Sequence, residues 1–251
     1  MSYLLIQILR KMDEKTLDKA AEDAKKINVT PKKAEVVEPI KPNIVMDYQT
    51  LKTIVEKNNF IFFDSGSYNL NFVWERTSNI FTNMFTDFLY IAYRDENGAE
   101  QLISLKATTK ASLYGQGGAL NPLPGGEAVI KADQYRSSWK FTMGNGSGKL
   151  PWGYPYFQQV RGINYWRDNT KDNVVDEVNE QDNKIYGTNW HIMAEPLSVN
   201  APGRLPWSEG CLGISYSDMM NVVVPIIKKA IPIWGDIFTG TIIETFDLPM
   251  S

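Results

Sequence analysis

Hydrophobic positions along the chain change period more than once. Tyr3, Leu4, Leu5, Ile8, Leu9 and Met12 recur at helical spacing, and Leu17, Ala20, Ala21 and Ala24 extend the stripe. That spacing predicts an amphipathic helix within residues 1–27, with an apolar face suited to docking on a protein partner, on the rest of the chain or on a symmetry mate. Periodicity then disappears. "NVTPKKAEVVEPIKPN" carries three prolines and five charged side chains, which predicts an extended linker over 28–45.

From Met46 onward the pattern is that of a folded body, residues 46–251. "DYQTLKTIVEKNN" predicts a short helix capped by Asp47, with Leu51, Ile54 and Val55 on one face. Strand-like runs follow: "FIFFDSG", "YNLNFVWER", "DFLYIAYRDENGAEQLISLKATT", "EAVIKADQY", "SWKFTMG" and "FQQVRGINYWRD". The third is a hairpin, two alternating runs meeting at Glu96-Asn97-Gly98. "SYSDMMNVVVPIIKKAI" predicts a helix interrupted at Pro225, and "GTIIETFDL" a closing strand. The expected fold is therefore mostly β, a sandwich or mixed sheet with peripheral helices.

Composition narrows the functional classes. Hydrophobic residues make up 43% of the 251, enough for a buried core. Lys and Arg total 26 against 29 Asp and Glu, a net charge of −3, which argues against nucleic acid as a partner. No run reaches the ~20 apolar residues that span a bilayer. "MSYLLIQILRKMDEK" lacks the basic start and small-residue cleavage site of a Sec signal, so none is expected.

The chain has one cysteine, Cys211, and one histidine, His191, twenty residues apart. A thiol near its ordinary pKa of ~8.5 is mostly protonated at neutral pH, so a nucleophilic cysteine needs a base, usually imidazole. Gly210 lets the backbone turn tightly beside the cysteine, and Ser208 fits the same turn. Residue chemistry alone leaves the alternative open that Cys211 is a small buried hydrophobe and His191 a satisfied core side chain. One cysteine and one histidine argue against zinc. "RDNTKDNVVDE" spaces Asp168, Thr170, Asp172 and Asp176 like a calcium loop, but lacks the central glycine, where Asn173 stands, and the final bidentate Glu, where Asn179 stands. A solvated acidic loop is the expected reading, with no cofactor.

"YGTNWHIMAEPLSVNAPGRLPWSEGCLGI" resembles the active-site segment of the YkuD-type L,D-transpeptidase domain, in particular a divergent bacterial and phage branch with Asn-X-His and Trp-Ser-X-Gly-Cys words. The likeness spans about residues 65–245. It implies a Cys-His dyad, Cys211 as nucleophile and His191 as base, with Ser208 and Gly210 shaping the turn and nearby amides serving the oxyanion. It also implies a peptidoglycan stem peptide as substrate, cleaved or transferred through an acyl-enzyme. Glu209 departs from the best-known members, which have histidine there, and a carboxylate beside a thiol tends to raise its pKa. Trp190 and Trp207 flank the two residues and, with Glu209, are candidates for substrate contact. Papain-like enzymes place the cysteine before the histidine, and the order here is the reverse. The alternative is a catalytically silent assembly component of a virion or injection apparatus that retains the fold. Delivery by such a machine would account for a cell-wall protein without a signal.

Overall fold

The structure is a computed structural model that describes residues 46–113, 118–147, 152–194 and 208–245. The amphipathic helix and linker expected within residues 1–45 lie outside the described residues.

Helix α1 (Tyr48–Lys57) starts where the sequence puts it. Asp47 is extended and its carboxylate accepts the Thr50 N–H at 2.7 Å, which satisfies one of the unpaired amides of the first turn. Tyr48, Leu51 and Val55 are buried and pack with Phe62, Val73, Tyr90, Ala92 and Ile243. Asp64 ties the helix down, accepting from Tyr48 Oη at 2.7 Å and from Arg94 Nε at 2.8 Å.

Eleven strands follow among the described residues: β1 (Asn71–Arg76), β2 (Asp87–Arg94), β3 (Glu100–Thr108), β4 (Glu127–Ile130), β5 (Asp133–Thr142), β6 (Tyr156–Gln159), β7 (Ile163–Asp168), β8 (Gln181–Lys184), β9 (Trp190–Ala194), β10 (Leu212–Ser215) and β11 (Ile237–Glu244). Eight of them close a barrel in the order β1-β11-β5-β6-β9-β10-β3-β2, while β4, β7 and β8 form a separate sheet in the order β4-β7-β8. The barrel is mixed: β1 with β11 and β9 with β10 run parallel, and the other neighbours run antiparallel. The mostly-β mixed sheet is as expected, but it closes on itself and does not stack as a sandwich. The reason is β11, which pairs with β1 on one side and β5 on the other and so leaves no open edge.

Alternation along β1 shows how the layers divide. Phe72 and Trp74 point into the barrel core, whereas Val73 points outward under α1. The inner core also takes Trp139, Phe157, Trp190, Ile214 and Phe238. A third cluster, with Phe81, Ala111, Val129 and Val175, packs the small sheet against the loops after β1 and β3.

Two sequence runs that look like single strands each serve both sheets. "EAVIKADQY" gives β4 to the small sheet and β5 to the barrel, and "FQQVRGINYWRD" divides into β6 and β7 in the same manner. "FIFFDSG" is not a strand. Its backbone is satisfied by side-chain amides instead: Asn71 bonds both the N–H and the C=O of Phe63, and Gln134 those of Ile61.

After β10, helix α2 (Tyr216–Asp218), capped by Ser215, runs through a π turn (Met219–Val223) into α3 (Val224–Trp234). The expected interruption at Pro225 is this widened turn. Proline has no N–H to donate and its ring crowds the carbonyl four residues back, so the regular ladder cannot pass through it. Met219, Val223, Val224, Ile226, Ile227 and Ala230 join the barrel core. No helix among the described residues is long and apolar enough to cross a membrane.

Candidate functional site

The histidine and the cysteine lie on neighbouring parallel strands. In the β9–β10 register Leu212 pairs with Trp190 and Gly213 with His191, so Cys211, directly before β10, lies beside the start of the strand that carries His191. Trp190, Leu212, Ile192 and Ile214 face the barrel core. That alternation corrects one expectation. Trp190 is 1% exposed and packs against Trp139 at 4.6 Å and Phe157 at 4.8 Å, so it is a core ring and not a substrate contact. Trp207 lies outside the described residues.

A tight turn presents Cys211. Ser208 Oγ accepts the Gly210 N–H at 2.9 Å and donates to Cys211 O at 2.9 Å. The Ser208 carbonyl accepts both the N–H and the hydroxyl of Ser112. Gly210 has φ +115°, and a Cβ there would sit 2.2 Å from the Ala128 carbonyl oxygen, so only glycine fits against β4. Because Ser208 takes the Gly210 N–H, that amide is not available to an oxyanion.

The side chain of Cys211 is partly accessible. Its sulfur accepts the Asn189 N–H at 3.4 Å and faces the Gly187 carbonyl at 3.8 Å. Burial pushes the thiol up to about 11, the Asn189 N–H pulls the other way, and the Glu209 carboxylate adds to the rise. Glu209 itself is exposed.

His191 is buried, and burial holds its imidazole below the ordinary value, with a smaller opposing effect from the Ile192 carbonyl. Nδ1 lies 2.9 Å from Ile192 O. A carbonyl only accepts, so Nδ1 carries the proton and Nε2 the free lone pair. No hydrogen bond joins His191 to Cys211 among the described residues. The raised thiol and the lowered imidazole both favour their neutral forms. Trp152, 40% exposed, stands with its ring edge-on to His191 at 5.7 Å and against Tyr156 at 4.7 Å.

The aspartates of the calcium-like loop do not converge. The buried Asp168 spends its carboxylate on the loop, accepting from Thr170 N and Oγ1 and from Asp176 N, and Asp172 caps Val174 N. Among the described residues no group of three or more His, Cys, Asp or Glu is placed to hold a metal ion.

Residues that sequence reasoning passed over also border the turn. Glu127, one residue before Ala128, is 2% exposed, and burial pushes its carboxyl up to about 7. Asn189, Gln159 and Tyr165 lie behind the thiol. A scan of protein-family models, a search of curated proteins and a search of solved structures each return no match.

Proposed function

We propose that this protein performs cysteine-dependent acyl transfer or hydrolysis on peptidoglycan stem peptides, with Cys211 as nucleophile and His191 as base. The observation that carries the proposal is the pairing of β9, which holds His191, with β10, which Cys211 directly precedes, together with an imidazole tautomer that leaves Nε2 as the basic nitrogen. His191 Nε2 takes the thiol proton as the sulfur attacks a peptide carbonyl. The tetrahedral intermediate collapses to a thioester when the imidazolium returns that proton to the leaving amine. Water or a second amine then attacks the thioester and releases Cys211. A neutral resting pair suits this order, since catalytic contacts that are loose without substrate tighten as substrate displaces water. The substrate class comes from the likeness of "NWH" and "WSEGC" to the L,D-transpeptidase words. Mass spectrometry of muropeptides, after incubating sacculi with wild type and with Cys211→Ala, tests the proposal. Shortened or exchanged stem peptides with wild type alone are the expected result; identical digests from several sacculus sources would end it.

A second reading draws on the thiol near 11 and on Glu209 beside it. Both are what a fold kept for assembly, without its reaction, would tolerate. Identical digests are the outcome that reading requires.

A further inference from the structure

Cys211 is bounded by three residues, Gly187, Thr188 and Asn189, whose backbone is pinned from several sides. The N–H groups of Gly187 and Thr188 both donate to Gln159 Oε1, at 3.1 and 3.0 Å. Thr188 O accepts the indole N–H of Trp139 at 2.9 Å. Asn189 Oδ1 accepts the Gln159 N–H at 2.7 Å, and Asn189 O accepts the Leu212 N–H at 3.0 Å. The remaining backbone donor of the three, the Asn189 N–H, meets the sulfur.

Gln159 is itself held in place. It is 4% exposed, and Nε2 donates to Arg161 O and Lys184 O, each at 2.8 Å. Tyr165, fully buried, donates its hydroxyl to Oε1 at 3.0 Å. One side chain on β6 thus joins β7, the end of β8 and the segment that leads into β9.

We propose that Gln159 is a positioning residue for Cys211, holding Gly187–Asn189 against the sulfur so that the Asn189 N–H and the Gly187 carbonyl face it. This role rests on Cys211 being the reacting group. An apolar side chain in place of Gln159 leaves the Gly187 and Thr188 amides without their acceptor, and Thr188, 4% exposed, must move to reach water. That movement opens the already partly accessible thiol further. Burial outweighs the Asn189 N–H in its effect on Cys211, so the uncovered thiol falls from about 11 toward the ordinary range.

Because Cys211 is the single cysteine of the chain, alkylation of the whole protein reports on it alone. The experiment follows the rate of iodoacetamide alkylation of the full-length chain against pH. In folded Gln159→Leu the midpoint moves down by about one pH unit, which makes the rate near pH 8 roughly tenfold faster than wild type. Leu51→Ala, a core change on the buried face of α1, serves as a comparator of lowered stability and leaves the midpoint in place. An unmoved midpoint in Gln159→Leu, or an equal shift in Leu51→Ala, overturns the proposal. Hydrogen exchange on wild type is a second test that does not depend on the variant folding. The Gly187 and Thr188 amides are expected to be protected, and exchange at the rate of a free peptide overturns the role. Neither readout uses peptidoglycan, so failure of the muropeptide assay and failure of the positioning role are separate results.

Discussion

Glu127 and Gly210 meet at the same place from opposite directions. The glycine is required because the Ala128 carbonyl fills the space of its missing side chain. The glutamate next to Ala128 is buried, with one oxygen accepting the Leu123 N–H at 3.0 Å. Burial raises its carboxyl from the ordinary 4.5 to about 7; the Leu123 N–H opposes the rise and the Glu209 carboxylate adds to it. The folded chain therefore keeps a proton that the unfolded chain gives up. The stabilisation from this group is fully present below pH 4.5 and is lost as pH rises through about 7. Urea unfolding of wild type is expected to show a loss of up to about 3 kcal/mol from this group between pH 4.5 and 8, whereas Glu127→Gln, which mimics the protonated form, loses that much less. Equal pH dependence in the two proteins would show that Glu127 ionises as freely when folded as when unfolded.

Elements whose residues answer to their near neighbours were legible in the sequence. Asp47 caps α1, and the β2–β3 hairpin turns at Asp95–Ala99 with Gly98 at φ +79°, because capping and turn chemistry are decided within a few residues. Periodicity says nothing about which sheet a strand joins, and so "EAVIKADQY" conceals a change of sheet at Lys131. The site divides in the same way. Cys211, His191, Ser208 and Gly210 are visible by residue type, whereas Gln159, Asn189 and Tyr165 acquire their roles only when β6, β7 and β9 come together. The Asp87–Lys110 pair is another product of assembly. Asp87, at the start of β2, accepts from the N–H and hydroxyl of Thr77 beyond β1, from those of Thr109 beyond β3, and from Lys110 Nζ at 3.0 Å. Both charged side chains are fully buried. Asp87→Ala leaves the ammonium without its counter-charge and is expected to cost about 3–5 kcal/mol. Lys110→Met leaves Asp87 its four Thr77 and Thr109 donors and should cost less. Denaturant unfolding of both variants gives the order, and the reverse order would mean that Lys110, not Asp87, holds these strand ends.

Closure of the barrel depends on strands from the two ends of the described chain. β1 and β11 pair in parallel, Phe72 opposite Gly240 and Trp74 opposite Ile242, and β11 then pairs with β5. Gly240 also sets the thickness of the core, since a Cβ there would lie 2.5 Å from Trp190 Cζ2 and 2.8 Å from Trp139 Cζ3. The interior aromatics, Phe72, Trp74, Trp139, Phe157 and Trp190, can be covered only when β11 is in place. A chain ending before Ile237 would leave β1 and β5 as open edges beside that exposed core. Its tryptophan fluorescence and far-ultraviolet circular dichroism are expected to show no cooperative unfolding transition, where the 251-residue chain is expected to show one. The thiol offers an independent readout, because β9 and β10 belong to the same ring of strands. In the truncated chain Cys211 should alkylate with a midpoint near the ordinary ~8.5 of a free cysteine. A truncated chain that still unfolds cooperatively, with its thiol still protected, would mean that the packing around β9 and β10 stands without closure. Loss of both signals together would tie the chemistry at Cys211 to the last strand of the barrel, although β11 contributes no residue to the site.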